Sequence, residues 1–193
     1  MTTKKNNCQQ SDLRISCRRA RADLRSVLRD QASTRICDTV TRAGFFRRSR
    51  SIACYLPSDE EVDTWPIIAR AFAMGKQVFA PVLRKKDSMG FRAFNSDSTL
   101  SVNRFGLLEP QDGEHIDPHH LDIVITPLVA FDAAGNRVGM GSGYFDRTFS
   151  FLKTRKIWLH PKLIGVAFEC QRVKKITPNP WDIGLFRVIT EAS

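Results

Sequence analysis

The chain has 193 residues, 42% hydrophobic and 26% charged, with a net charge of +10, a balance that suits one globular domain with a sizeable core. Its five cysteines (Cys8, Cys17, Cys37, Cys54, Cys170) are scattered and form no Cys-x-x-Cys pair, which argues against a disulfide framework or a zinc site and for reduced thiols in a cytoplasmic protein. No apolar run approaches the roughly 20 residues of a membrane helix and no leader-like segment follows Met1, so neither membrane insertion nor secretion is expected.

The charge is uneven. Residues 1–50 hold 13 Lys and Arg against 4 Asp, a net of +9, while the remainder is close to neutral. A basic arm beside a neutral body suggests an anionic partner: nucleic acid, a membrane surface or a multiply charged small molecule. Leu13, Cys17, Ala20, Leu24, Val27 and Leu28 fall on one helical face, and Arg14, Arg18, Arg21, Arg25 and Arg29 form an adjoining stripe. This predicts an amphipathic helix at about 11–29 whose arginine face is mostly solvated. No helix-turn-helix, zinc-finger or RNP pattern accompanies it.

A second helix is expected at about 31–43, with Ile36 and Val40 inward. Ser51–Leu56 reads as a first strand, ending in the polar turn Pro57–Glu61. Thr64 is the expected N-cap of a helix opened by Trp65 and Pro66 and ended by Gly75, with Trp65, Ile68 and Phe72 facing one way. Gln77–Leu83 follows as a strand whose Pro81 limits central pairing. A polar hairpin loop at Arg84–Gly90 and a short strand at Phe91–Phe94 come next, then an irregular stretch, Ser101–His120. Leu121–Phe131 reads as one buried strand, Lys162–Phe168 as another and Phe186–Thr190 as the last. Strands alternating with helices predict an α/β fold with a largely parallel sheet covered on both faces, whose ligands sit at the carboxyl ends of strands. One domain is expected over 1–193.

The organising stretch is Gly135–Phe149. A turn at Gly135-Asn136 leads to a loop with Gly139, Gly141 and Gly143, and the loop opens a helix marked by Tyr144, Phe145, Phe149 and Leu152. Free N–H groups at such a helix start suit phosphate. Arg137 adds a planar cation, and Asp146, on the first helical turn, is placed to hold a metal ion that bridges phosphates. The loop matches neither the dinucleotide fingerprint nor the P-loop. On spacing alone, a phosphate loop and a ligand-free tight turn both remain open.

Other clusters carry less. His115, His119 and His120 lie near Glu114, Asp117 and Asp122, but Pro118 interrupts any helix and the segment reads as a solvated loop, not a metal site. No Gly-x-Ser-x-Gly elbow supports a serine hydrolase. Glu60, Glu61 and Asp182 read as loop and turn charges when taken singly.

Taken in order, Leu13-Arg14 with Arg18 and Arg21, Tyr55-Leu56 through Glu61–Thr64, Glu109-Pro110, Ile125–Asp132, Gly135–Arg147, Gly165–Glu169 with Gln171, and Trp181-Asp182 resemble the 5-formyltetrahydrofolate cyclo-ligase family over nearly the whole chain. The resemblance implies a three-layer α/β sandwich of the NagB/RpiA/CoA-transferase group. It implies ATP as co-substrate, magnesium as cofactor, and conversion of 5-formyltetrahydrofolate, carrying a polyglutamate tail, to 5,10-methenyltetrahydrofolate with release of ADP and phosphate. By the same resemblance Arg14, Arg137, Val138, Gly139, Met140, Gly141, Ser142, Gly143, Tyr144 and Phe145 match ATP-binding positions. Leu56, Glu61 and Met140 to Tyr144 match folate-binding positions, Asp146 and Asp182 match magnesium positions, and Arg137 and Tyr144 carry the catalytic roles.

Three positions depart from the family pattern. A lysine usual four residues before Arg14 is Gln10, the middle of the glycine loop is Ser142, and the paired tyrosines are Tyr144-Phe145. A monomer acting on small molecules, without nucleic acid or membrane, is expected. The rival readings are a non-catalytic basic nucleic-acid-binding protein, motivated by the arm, and a CoA- or sugar-phosphate-handling enzyme on a related fold.

Overall fold

A computed structural model of the chain describes residues 2–84, 88–155, 157 and 160–193. Helix α1 spans Thr2–Ala22 and α2 spans Ser26–Arg42. The expected boundary near residue 30 is therefore corrected: the helices part at residues 23–25, where no glycine or proline marks the sequence. Arg25 takes an extended backbone (φ −62°, ψ 141°) and offers no side-chain cap. The Arg29 guanidinium closes the corner by donating to Leu24 O at 3.0 Å and Asp59 O at 2.9 Å. The break frees α2 to lay Ala32, Ile36, Cys37 and Val40 on the sheet. Val27 and Leu28, expected on the inner face of one long helix, are exposed.

Helix α3 (Gly44–Arg48) leads into β1 (Ser51–Cys54), and α4 (Trp65–Ala73) follows. Thr64 stands at the N-cap position of α4, but its hydroxyl donates to Tyr55 O at 2.8 Å, and Asp63 accepts from the Trp65 amide instead. Ile67, Ile68 and Ala71 form the buried face of α4; Trp65, expected inward, is exposed. Gly75, at φ +66°, ends the helix as expected, and Lys76 N reaches back to Ala71 O.

Next come β2 (Gln77–Arg84) and β3 (Ser88–Ala93), an antiparallel pair in which Arg84 faces Ser88. The tip of that expected hairpin, residues 85–87, lies outside the described residues. The stretch expected to be irregular holds three short strands, β4 (Leu100–Val102), β5 (Leu108–Pro110) and β6 (His115–Ile116). The single strand expected at Leu121–Phe131 is two: β7 (Ile123–Pro127) in the main sheet and β8 (Ala130–Phe131) outside it. Pro127 has no N–H to continue a ladder, and β8 turns aside to pair with β9 (Arg137–Val138). Helix α5 (Tyr144–Thr148), β10 (Lys162–Val166) and β11 (Arg187–Ile189) complete the chain.

The main sheet runs β11-β10-β7-β1-β2-β3-β6. Its first five strands are parallel, and β3 and β6 close one edge antiparallel. Pairing of β2 with β1 stops at Phe79, short of Pro81. Successive residues alternate between two cores. Ile52, Ile123, Ile125, Ile164 and Val166 pack under α2, α3 and α4 with Phe46, Ile67 and Ile68. Ala53, Val124 and Leu163 face the opposite layer, with Phe79, Phe91 and Phe149. Each such apolar side chain removed from water contributes about 1.5–3 kcal/mol, so both helical layers are held by the sheet. The result is a three-layer α/β sandwich with a mostly parallel centre.

Candidate functional site

The site is built on the β8–β9 hairpin, beyond the carboxyl end of β7. The Asp132 carboxylate accepts from the amides of Ala134 and Asn136 at 3.0 Å each, from Asn136 Nδ2 at 2.9 Å and from Ile176 N at 2.9 Å. Burial works against its ionisation, but these hydrogen bonds hold its pKa below the usual carboxylate range. Gly135, at φ +80°, completes the expected turn, and its carbonyl accepts from Leu185 N. The hairpin thereby fixes the start of the glycine loop.

Within the loop, Gly141 (φ +105°) and Gly143 (φ +70°) occupy backbone space that side chains resist. A Cβ at Gly139 would meet nothing within 4 Å, so that stretch of backbone is open to close approach. Met140, Gly141 and Ser142 are exposed, and Gly143 caps α5 in the left-handed conformation. The helix expected from Tyr144 to Leu152 is one α turn followed by a 3-10 turn at Ser150–Lys153.

Helix α1 lies against this loop. Arg14 Nε donates to Gly139 O at 2.8 Å, and its guanidinium sits beside Gly141. Arg14 Nη2 donates to Gln10 Oε1 at 3.4 Å, and Gln10 Nε2 donates to Asp182 Oδ2 at 2.9 Å. Seven residues further along α1, Arg21 is buried and pairs with Glu60 at 3.2 Å. Arg21 therefore departs from the expected solvated stripe. At 1.5 Å rise per residue, α1 spans roughly 10 Å from the glycine loop to the turn after β1. At that turn Leu56 is buried, and Glu61 accepts from Ser58 N and Ser58 Oγ at 3.1 Å each.

Asp146 and Asp182, expected to share a site, are linked to a common set of residues. Arg137, 6% exposed, donates through both terminal nitrogens to Asp146 Oδ1, at 3.0 and 3.1 Å. The same oxygen accepts from Ile183 N at 3.0 Å, next in sequence to Asp182. Burial lowers the Arg137 pKa, and the charges of Asp146 and Asp182 oppose that fall. The Asp182 carboxylate is held through Oδ2, by Gln10 and by Asn179 N at 2.8 Å. Among the described residues, Asp146 Oδ2 and Asp182 Oδ1 carry no hydrogen bond. Each carboxylate is thus anchored through one oxygen, and carboxylate oxygens are hard donors of the kind magnesium takes alongside phosphate. No group of three or more His, Cys, Asp or Glu side chains placed to hold a metal occurs among the described residues.

Two contacts had no counterpart in the sequence reading. Arg104 Nη2 donates to the Tyr144 hydroxyl at 3.0 Å, and Phe105 meets the Tyr144 ring edge-on at 6.3 Å between centroids. Both belong to the exposed turn between β4 and β5, which nothing in the local pattern tied to the glycine loop. The histidine segment is engaged elsewhere: His119 bonds Asp117 at 2.6 Å and stacks on Phe151, and His115 meets Arg92 at 3.1 Å. Cys37 is buried, which raises its thiol pKa to about 12, and all five cysteines are free. No helix among the described residues is long and apolar enough to cross a membrane.

Residues 6–191 match the model of the 5-formyltetrahydrofolate cyclo-ligase family. A protein named 5-formyltetrahydrofolate cyclo-ligase from Haemophilus influenzae is 32% identical over 190 residues, covering 95% of this chain and 98% of the relative. One of the same name from Escherichia coli is 38% identical over 148 residues, 74% of this chain and 78% of the relative. Among solved structures, the Aquifex aeolicus 5,10-methenyltetrahydrofolate synthetase superposes with a TM-score of 0.82 at 29% identity, covering 95% of this chain and 90% of that one. Matched over residues 6–191 and carried on a three-layer fold, this chain belongs to the 5-formyltetrahydrofolate cyclo-ligase family.

Proposed function

We propose that the chain closes 5-formyltetrahydrofolate to 5,10-methenyltetrahydrofolate at the expense of ATP, in one catalytic domain. The observation that carries this reading is the meeting of Arg14, the open glycine loop and the Arg137–Asp146 pair at the carboxyl edge of the sheet, in a chain that matches the family over residues 6–191. The formyl oxygen attacks the γ-phosphorus, the bond to the ADP oxygen breaks, and ADP leaves. N10 of the same folate then bonds to the activated carbon and loses its proton, and the carbon–oxygen bond breaks to release phosphate. Such transfer requires mainly alignment and neutralisation of charge.

In this scheme Val138 to Phe145 form the phosphate loop, with Arg14 on its flank. Arg137 and Tyr144 are the catalytic pair. Arg137 is a fixed cation beside the loop, and Tyr144 orients the folate by its ring and hydroxyl. Leu56 supplies an apolar wall, and the Glu61 carboxylate accepts from pterin N–H groups. Asp146 and Asp182 would hold magnesium, which when bound would neutralise phosphate charge. The protein acts in the cytoplasm as a monomer on a polyglutamylated folate.

Against the nucleic-acid reading stands that Arg14, Arg21 and Arg29 of the basic stripe are each bonded to partners inside the fold. The functional reading is tested by product stoichiometry. One phosphate and one ADP should appear per methenyl product, only when 5-formyltetrahydrofolate and ATP are both present. ATP hydrolysis without ring closure would contradict it.

A further inference from the structure

Gln10 is 5% exposed, a long amide that has lost nearly all contact with water. Such a group must satisfy both its oxygen and its nitrogen or destabilise the fold. It does so between two residues of the site: its oxygen accepts from Arg14 Nη2 at 3.4 Å and its nitrogen donates to Asp182 Oδ2 at 2.9 Å. Arg14 in turn is fixed to Gly139 O at 2.8 Å. Glycine loop, α1 and the 179–182 turn are therefore linked through one neutral side chain.

Resting on the functional reading above, we infer that Gln10 is a positioning residue for nucleotide binding, acting through Arg14 and Asp182. An amide is suited to this place because it ties a guanidinium to a carboxylate without adding charge. A carboxylate at residue 10 would still accept from Arg14 but would repel Asp182. An apolar side chain of the same length would take one hydrogen bond from each partner, leaving Arg14 on Gly139 O and Asp182 on Asn179 N. Because Asn179 N also bonds Oδ2 at 2.8 Å, the Gln10 contact fixes the rotation of the carboxylate and so the direction of Oδ1.

Three other amides on α1 touch the same turn without touching the site. Asn6 donates to Pro178 O at 3.4 Å, Asn7 accepts from Asn179 Nδ2 at 3.2 Å, and Gln9 accepts from Thr177 N at 3.1 Å. Asn6 and Gln9 serve as internal controls, since they dock the helix on Pro178 and Thr177, whereas Asn7 holds Asn179, itself a partner of Asp182.

The experiment measures KM for ATP and for 5-formyltetrahydrofolate in wild type, Gln10→Met, Gln10→Glu and Gln9→Ala. Gln10→Met should raise KM for ATP at least about fivefold, as loss of a hydrogen bond to a charged group implies, and change KM for the folate less than about twofold. Gln10→Glu should raise KM for ATP further, and Gln9→Ala should match wild type. In an Asp182→Asn background Gln10→Met should add less than its effect alone, because the contact is shared. Should Gln10→Met not fold, Gln10→Glu carries the test, since it alters the contact to Asp182 and keeps the acceptor for Arg14. Unchanged KM for ATP, equal shifts for both substrates, an equal effect of Gln9→Ala, or full additivity with Asp182→Asn would each overturn the inference while leaving the functional reading intact. Wild-type protein without turnover would overturn both.

Discussion

Ile183 and Asp146, 37 residues apart, are joined by a hydrogen bond of 3.0 Å from backbone amide to carboxylate. The bond fixes the approach to the last strand against the first turn of α5. It also brings the backbone next to Asp182 onto the Asp146 carboxylate.

From this arrangement, Asp146→Asn and Asp182→Asn should each raise the magnesium concentration needed for half-maximal rate. Asp182→Asn keeps a carbonyl oxygen for its anchoring hydrogen bonds and should change melting without ligand little, whereas Asp146→Asn removes the counter-charge of buried Arg137 and should lower the melting temperature. The double variant should shift the curve by less than the summed single effects, because both serve one ion. Magnesium titrations of the rate check this; unaltered curves in both single variants would remove the pair from metal binding.

Arg137→Lys keeps the charge but cannot place two donors on Asp146 Oδ1. It should lower kcat/KM for ATP at least about tenfold, equivalent to about 1.4 kcal/mol of transition-state stabilisation. Arg137→Ala should cost at least about 2 kcal/mol and also lower the melting temperature, since it strands a partly buried carboxylate. Near-normal kcat/KM in both variants would reduce the arginine to a structural strut.

Gly141→Val should weaken ATP binding at least about tenfold while the protein stays folded. The native φ of +105° is strained for valine, by about 1–3 kcal/mol, and the added methyl groups would crowd Arg14, which already lies 3.6 Å from an ideal Cβ. Calorimetry on folded variant checks this, and retained affinity would mark the loop as a plain turn.

Asp132 carries a pH signature. Its pKa is lower folded than unfolded, so its stabilisation is present above the usual carboxylate pKa of about 4 and is lost as pH falls through the folded value. Asp132→Asn should lower stability at pH 7 by about 1–3 kcal/mol, and wild type and variant should converge in acid. Denaturant melts at pH 7 and pH 3 measure the difference; a gap that does not narrow in acid would contradict it.

Much of this was legible in the sequence. The β-branched runs announced the strands of the parallel sheet, and Gly135-Asn136 announced the hairpin turn. The glycine loop stood out because positive φ at Gly141 and Gly143 demands glycine. What escaped was set by contacts distant in sequence. The helix break at residues 23–25 has no local breaker and is stabilised by Arg29 reaching Asp59 O. The strand ending at Pro127 could not be told from its continuation in β8, because both halves are apolar and buried. Arg21 read as part of a solvated stripe until its partner Glu60, 39 residues away, was in place. The hydrogen-bonding role of Gln10 depends on Asp182, 172 residues away, and no pattern of spacing carries that.

The most direct test is to mix purified protein with 5-formyltetrahydrofolate, ATP and magnesium and follow the absorbance of the methenyl product. The account predicts that the chromophore appears only when nucleotide and metal are both present, and that its rate falls in Arg137→Lys and Gln10→Met at low ATP. Folded protein that forms no methenyl product across a wide range of folate and ATP concentrations would contradict it.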